Sequence, residues 1–226
     1  MSSQQPAVAD APPSPTIDEV VLADAPARWS QLGFTVARDV VQLGSVRLRL
    51  AGADAGRGIV GWSLRGLMSS ELDGLATTVS QSPPVEPAPA HANGIASIDH
   101  IVAMTPDLDR SVGALRAAGL DLRRVREEPT PAGAPRQAFF RLGREILEVV
   151  QEPEHVVAER HGADRPARLW GLALLAADLD RAVAAMSPHV GAVRDAVQPG
   201  RRIATVKRSA GLAVPVALMS ARPQSG

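Results

Sequence analysis

Apolar positions recur along this chain in an order that repeats. Leu108, Val112 and Leu115 fall at i, i+4 and i+7, and so do Leu179, Val183 and Met186. That spacing puts three apolar side chains on one helix face. The two helices open on matching stretches, DLDRSV at 107–112 and DLDRAV at 178–183, 71 residues apart. Each follows a short apolar run, IDHIVAMTP or LWGLALLAA, that reads as a strand. In the middle segment the pattern predicts a strand at 98–104 and a helix with Asp107 as its N-cap, stopped at Gly119. Strands at 123–127, 138–142 and 145–150 follow. The last segment predicts a strand at 169–175, a helix at 179–186 and strands at 193–196, 202–207 and 214–219. The first segment is a looser copy. TIDEVVLAD at 16–24 matches SIDHIVAMT at 97–105, a short helix follows at 27–32, and strands are expected at 36–41, 45–50 and 58–64. Each copy has the order β-α-β-β-β, so the class is α+β with repeated βαβββ units.

Polar and Pro-rich stretches separate the units. Residues 1–15 are rich in Pro, Ser and Ala and are expected to be disordered. The first unit spans 16–79, and a Pro-rich linker at 80–94 is expected to run extended without packing. The second unit spans 95–152, a polar connector 153–167, and the third unit 168–222.

Composition narrows the function classes. The 226 residues carry 24 basic and 24 acidic side chains, so no excess charge favours nucleic acid or an anionic membrane. With no Tyr and only three Phe and three Trp, a base-stacking platform is not expected. The absence of Cys excludes a disulfide framework, a thiol nucleophile and thiolate metal ligation, and fits the cytoplasm. No signal peptide or membrane-spanning run is read, and the Ala, Arg, Gly and Pro content points to a GC-rich bacterial genome.

Repeated βαβββ units, with IDHIVAMTPDLD opening one and FFRLGREILEVV closing it, resemble the vicinal oxygen chelate superfamily. That superfamily includes glyoxalase I, bleomycin and fosfomycin resistance proteins, methylmalonyl-CoA epimerase and extradiol dioxygenases. The resemblance covers nearly all of 16–222 and implies a cupped mixed sheet whose concave face holds a ligand or a metal. It also implies that metal ligands come from the first and last strands of a unit, here His100 in IDHIV and Glu148 in ILEVV. Strand alternation puts Ile98, His100 and Val102 on one face of their strand, and likewise Ile146, Glu148 and Val150 on one face of theirs, so that His100 and Glu148 can share a face of the sheet. The third unit has Gly171 against His100 and no carboxylate in VPVALMS. In the first unit Glu19 stands where His100 stands. If units one and two pair, Glu19, His100 and Glu148 converge as ligands for Zn, Mn, Fe or Ni.

Other candidates come from the residues directly. The pair Arg201-Arg202 after a Pro-Gly turn suits a substrate carboxylate or phosphate, with Arg202 assigned to substrate. Phe139 and Phe140 point to opposite faces, one under the helix and one into the cup, with Phe140 assigned to substrate. His91, His155 and His161 lie in connectors and are expected at the surface. Two readings of function stay open. One is a protein that binds a small molecule in an apolar cup. The other is a divalent-metal-dependent lyase, isomerase or dioxygenase acting on a small oxygenated substrate. With three units, one is left without an internal partner, so a homodimer is expected.

Overall fold

A computed structural model of the chain describes residues 14–131, 133–160 and 162–222. The tail at 1–15, apart from its last two residues, and His161 lie outside the described residues. Two sheets carry the fold. The first contains β1 (Thr16–Leu22), β2 (Val40–Leu43), β3 (Val46–Leu50), β4 (Ile59–Arg65) and β5 (Thr77–Val79), in the order β2-β3-β1-β4-β5. A short helix, α1 (Pro26–Gln31), follows β1. The second and third units follow as β6 (Ile95–Thr105), α2 (Leu108–Ala117), β7 (Asp121–Arg126), β8 (Gln137–Leu142) and β9 (Glu145–Gln151). Then come α3 (Glu154–Glu159), β10 (Arg168–Ala176), α4 (Leu179–Ala185), β11 (Arg194–Asp195), β12 (Arg202–Thr205) and β13 (Val216–Ser220). These eight strands form one sheet, β11-β12-β13-β10-β6-β9-β8-β7.

The repeat in the sequence is a repeat in space. β6 runs parallel to β9 and β10 parallel to β13, while β6 and β10 meet antiparallel at the centre. Units two and three therefore pair with each other. The helix stretches behave as their caps require: Asp107 accepts from Arg110 N at 3.0 Å and Asp178 from Arg181 N at 3.1 Å. Leu108 and Leu115 of α2, and Leu179 and Ala182 of α4, are buried. Ile101, Ala103, Leu147, Val149 and Phe140 form the opposing layer, each with less than 2% of its surface exposed. The alternate positions His100, Val102 and Glu148 are only half-buried and leave the other face free for a cavity.

The first unit departs from the pattern. The strand expected at 36–41 starts late, as β2 at Val40, with only an Ala37–Val40 bridge before it, because Arg38 and Asp39 adopt φ of 51° and 60° in a tight turn. The strand at 58–64 forms as β4 but does not close its unit. β3 lies parallel to β1 as β9 lies to β6, and β4 lies antiparallel to β1 as β10 lies to β6. β5 is parallel to β4, as β13 is to β10. The first sheet thus has the register of a complete pair in which the second partner is two strands. The open edge of the first unit is met by β4 from its own chain.

The Pro-rich linker is extended, yet it is docked. Gln42 Nε2 donates to Glu86 O at 2.6 Å, and Arg65 Nε to Ser82 O at 2.7 Å. His91 is likewise not a free surface residue. Its Nδ1 accepts from Thr35 N at 3.1 Å, its Nε2 meets Gln42 O at 3.0 Å, and its ring packs edge-on against Phe34. Burial lowers its pKa, so the neutral ring fits this role. His155 is exposed, as its place in the connector suggests. No helix among the described residues is long and apolar enough to cross a membrane.

Candidate functional site

A cavity of about 760 Å³ opens on the concave face of the eight-stranded sheet, with His100 and Glu148 in its wall. Val102 is the register partner of Glu148, and Ile146 that of His100, so the two side chains lie one step apart on neighbouring strands. His100 Nε2 is 3.3 Å from Glu148 Oε2. Gln137, on β8, donates from Nε2 to Glu148 Oε1. On the far side of the ring, His100 Nδ1 is 2.8 Å from Asp99 Oδ2.

Neighbours in a regular strand point to opposite faces, so Asp99 and His100 should not touch. They do because β6 carries a bulge there. Ala173 pairs with His100 and the next residue, Leu174, with Ile98, which leaves Asp99 as the extra residue. The bulge also moves Ile98 into the core at 3% exposure, off the face of His100 where simple alternation put it. Behind Asp99 stands Arg201, with 4% of its surface exposed. Its guanidinium grips Asp99 at 2.7 and 3.1 Å and also donates to Ser220 O. The result is a continuous chain, Arg201–Asp99–His100–Glu148–Gln137.

The electrostatics along this chain alternate. Burial opposes the charge on Asp99, but the hydrogen bonds from His100 and Arg201 outweigh it and carry the carboxyl down to about 2. Asp99 is therefore ionised and accepts a hydrogen bond from Nδ1–H, with Nε2 turned toward Glu148. Burial pushes Glu148 up, against the nearby ring of His100. A carboxyl held toward its protonated form beside an imidazole nitrogen can pass one proton across the contact. A raised carboxyl contributes stability below its ordinary value of 4.5 and loses it as pH rises through the higher folded value. Glu148→Gln is accordingly expected to lose less stability than the wild type between pH 5 and pH 8, in urea titrations at the two pH values.

The remaining residues singled out by sequence fall elsewhere. Glu19 lies on the first sheet, bound by Arg49 at 2.7 and 2.9 Å. Register makes this pair the counterpart of the site: Val21 faces Arg49 as Val102 faces Glu148. An arginine thus replaces the second acid, and Glu19 is closed by its own ion pair instead of meeting His100. Arg202 points outward to Asp180 at 2.7 and 3.0 Å, and its neighbour Arg201 turns inward. Phe140 is fully buried under the helix, and Phe139 takes the cavity wall with Arg124 stacked 4.9 Å above it. Strand parity carried both alternatives, and only the register of β8 decides between them. Asp99 and Gln137 were not legible as site residues, and Arg201 was legible beside Arg202 as an oxyanion binder, not as the partner of Asp99. The one sequence signal was the shared Ile-Asp of TIDEVV and SIDHIV. Asp18, the counterpart of Asp99, is also buried and held by arginines, Arg47 at 2.8 Å and Arg65.

The residues present do not fit a metal centre of three or four ligands. In the third unit, Ala173 faces Ala217 where Val102 faces Glu148, and Gly171 stands at the position of His100. That half offers no donor. Among the described residues no group of three or more His, Asp or Glu side chains is arranged to hold an ion.

No protein-family model and no curated protein matches the chain. Solved structures do. A xylose isomerase-like TIM barrel/4-hydroxyphenylpyruvate dioxygenase fusion protein aligns over 99% of this chain and 52% of its own, at 14% identity and a TM-score of 0.59. The chain therefore spans about half the length of that relative. Methylmalonyl-CoA epimerase from Mycobacterium tuberculosis aligns over 59% of this chain and 93% of its own, at 17% identity and a TM-score of 0.47. A Streptomyces coelicolor methylmalonyl-CoA epimerase variant in complex with 2-nitronate-propionyl-CoA aligns over 56% and 98%, at 20% identity and a TM-score of 0.46. The likeness that spans the whole chain, with the paired βαβββ topology, shows the fold: a cupped, mixed sheet of paired βαβββ units, shared with that fusion protein.

Proposed function

We propose that the chain binds a small organic molecule in the concave cavity of its eight-stranded sheet, without a metal. One observation carries this reading. The four positions that this fold uses for ligation hold a His and a Glu in contact with each other, and a Gly and an Ala. The His100–Glu148 pair satisfies its own polar atoms and leaves the facing half of the floor apolar. A pocket of this volume, lined by apolar side chains and by convergent polar ones, suits a drug-sized molecule. The floor also offers a carboxyl and an imidazole able to donate to or accept from a ligand carbonyl or hydroxyl.

The test is occupancy of the cavity. The neutral fluorophore Nile red is expected to bind the wild type, and Ala196→Trp, which places an indole in the cavity wall, is expected to abolish this. Equal binding by the two proteins would move the ligand elsewhere and end the proposal. A second reading, in which His100 and Glu148 hold Zn, Mn, Fe or Ni for a lyase, isomerase or dioxygenase, is favoured only by the contact of those two donors. It is separated by melting temperature. A metal at 100 times its dissociation constant stabilises by about 2.7 kcal/mol. No shift with added Zn, Mn, Fe or Ni is expected. A shift that His100→Ala removes would replace the metal-free reading with the metal-dependent one.

A further inference from the structure

The cavity carries arginines at its two ends, and between them lie both the His100–Glu148 pair and an apolar patch. β7 and β11 are the opposite edge strands of the sheet, yet both contribute to the same wall. From β7 come Arg124 and Arg126, and from β11 comes Arg194. The register explains the placement. Arg124 pairs with Phe139 and Phe139 with Glu148, so an arginine ends the row that holds the acid. On the other side Arg194 pairs with Ile203 and Ile203 with Met219, so an arginine ends the apolar row too.

These guanidiniums are not neutralised by the protein. Arg124 and Arg194 have no acidic partner within ion-pair distance among the described residues. Arg126 has only Glu128, at 3.8 Å, whose side chain is 78% exposed. The other acid in the wall, Glu148, is pushed by burial toward its neutral form. Arg49, Arg136 and Arg202, by contrast, are closely paired. Three guanidiniums, two of them without an acidic partner among the described residues, thus share one opening, where their mutual repulsion is relieved by an anion. Between them lie Ile203, Met219 and Val197, the last 55% exposed although apolar.

Resting on the proposal that this cavity is the binding site, we infer that its ligand is an organic oxyanion with an apolar body. The charged group, a carboxylate or a phosphate ester, is held by the guanidiniums of the rim, whose planar forks match such oxygens. The apolar body covers Val197, Ile203 and Met219. A free inorganic anion satisfies only the first half of this description, and a neutral apolar molecule only the second.

The experiment is calorimetric titration of the full chain with octanoate, octyl phosphate, octanamide and inorganic phosphate. Octanoate or octyl phosphate is expected to bind at least about ten-fold more tightly than octanamide and than inorganic phosphate. Arg124→Gln and Arg194→Gln, both on exposed edge-strand positions, are each expected to weaken the anion about five- to ten-fold with an unchanged circular dichroism spectrum. Ala196→Trp is expected to block it. Octanamide binding as tightly as octanoate overturns the inference and leaves the cavity reading intact, as does octanoate affinity unchanged in both Arg variants. Inorganic phosphate binding as tightly as octyl phosphate removes the apolar body. No binding of either amphipathic anion overturns the inference, while Nile red still reports separately on the cavity. Full binding to Ala196→Trp overturns both.

Discussion

Asp99→Ala is expected to destabilise the chain by about 3–5 kcal/mol in urea unfolding. Its carboxylate is the sole acidic partner of Arg201 among the described residues, and that guanidinium is almost wholly removed from water. Deleting the acid leaves a buried positive charge with only the Ser220 carbonyl as an acceptor, the case in which breaking a buried pair costs most. Asp99→Asn should recover little, since an amide restores neither the charge nor two acceptor oxygens for the fork. The pH dependence has a definite sign. A carboxyl depressed to about 2 contributes stability above its ordinary value of 3.8 and loses it as pH falls toward 2. Wild-type stability should therefore drop through that window by more than the variant's. A variant that unfolds at the wild-type urea concentration would show that Arg201 is hydrated in solution and that the relay behind His100 is not held.

The same pair shows why the repeat was legible and the site only half so. Helix spacing and capping are local properties, so the copies around Leu108 and Leu179 announce themselves in sequence, and Asp107 and Asp178 cap as the pattern requires. Strand alternation then brings His100 and Glu148 to one face, because each strand keeps its parity over the residues that matter. What alternation cannot register is an extra residue. The bulge at Asp99 reverses the parity of Ile98 and joins two adjacent side chains that a regular strand would separate. Partner choice is equally invisible. β4 has the apolar pattern of a closing strand, yet it pairs antiparallel with β1 and not with β3, and nothing in GIVGWSL distinguishes the two. Glu19 matched His100 correctly in register. It did not match in chemistry, because Arg49, thirty residues away, fills the place of Glu148.

Register also separates the two phenylalanines, and the separation has a measurable consequence. Phe140 is wholly buried beneath the helix layer, so Phe140→Ala should cost about 3–5 kcal/mol through lost burial and the cavity left behind. Phe139 lines the ligand cavity and carries Arg124 on its face. Phe139→Ala should cost only about 1 kcal/mol, since its ring is half-buried and one cation–π contact is worth about that much near the surface. Binding should follow the opposite order. Removing Phe139 takes away both an apolar wall and the seat of a rim guanidinium, so octanoate affinity should fall about ten-fold. Removing Phe140 should leave affinity near the wild-type value at temperatures where the variant remains folded. Urea unfolding and calorimetric titration of the two variants measure both quantities side by side. If Phe140→Ala proves mild in stability and severe in binding, β8 is shifted by one residue from the register described, and Gln137 could no longer reach Glu148.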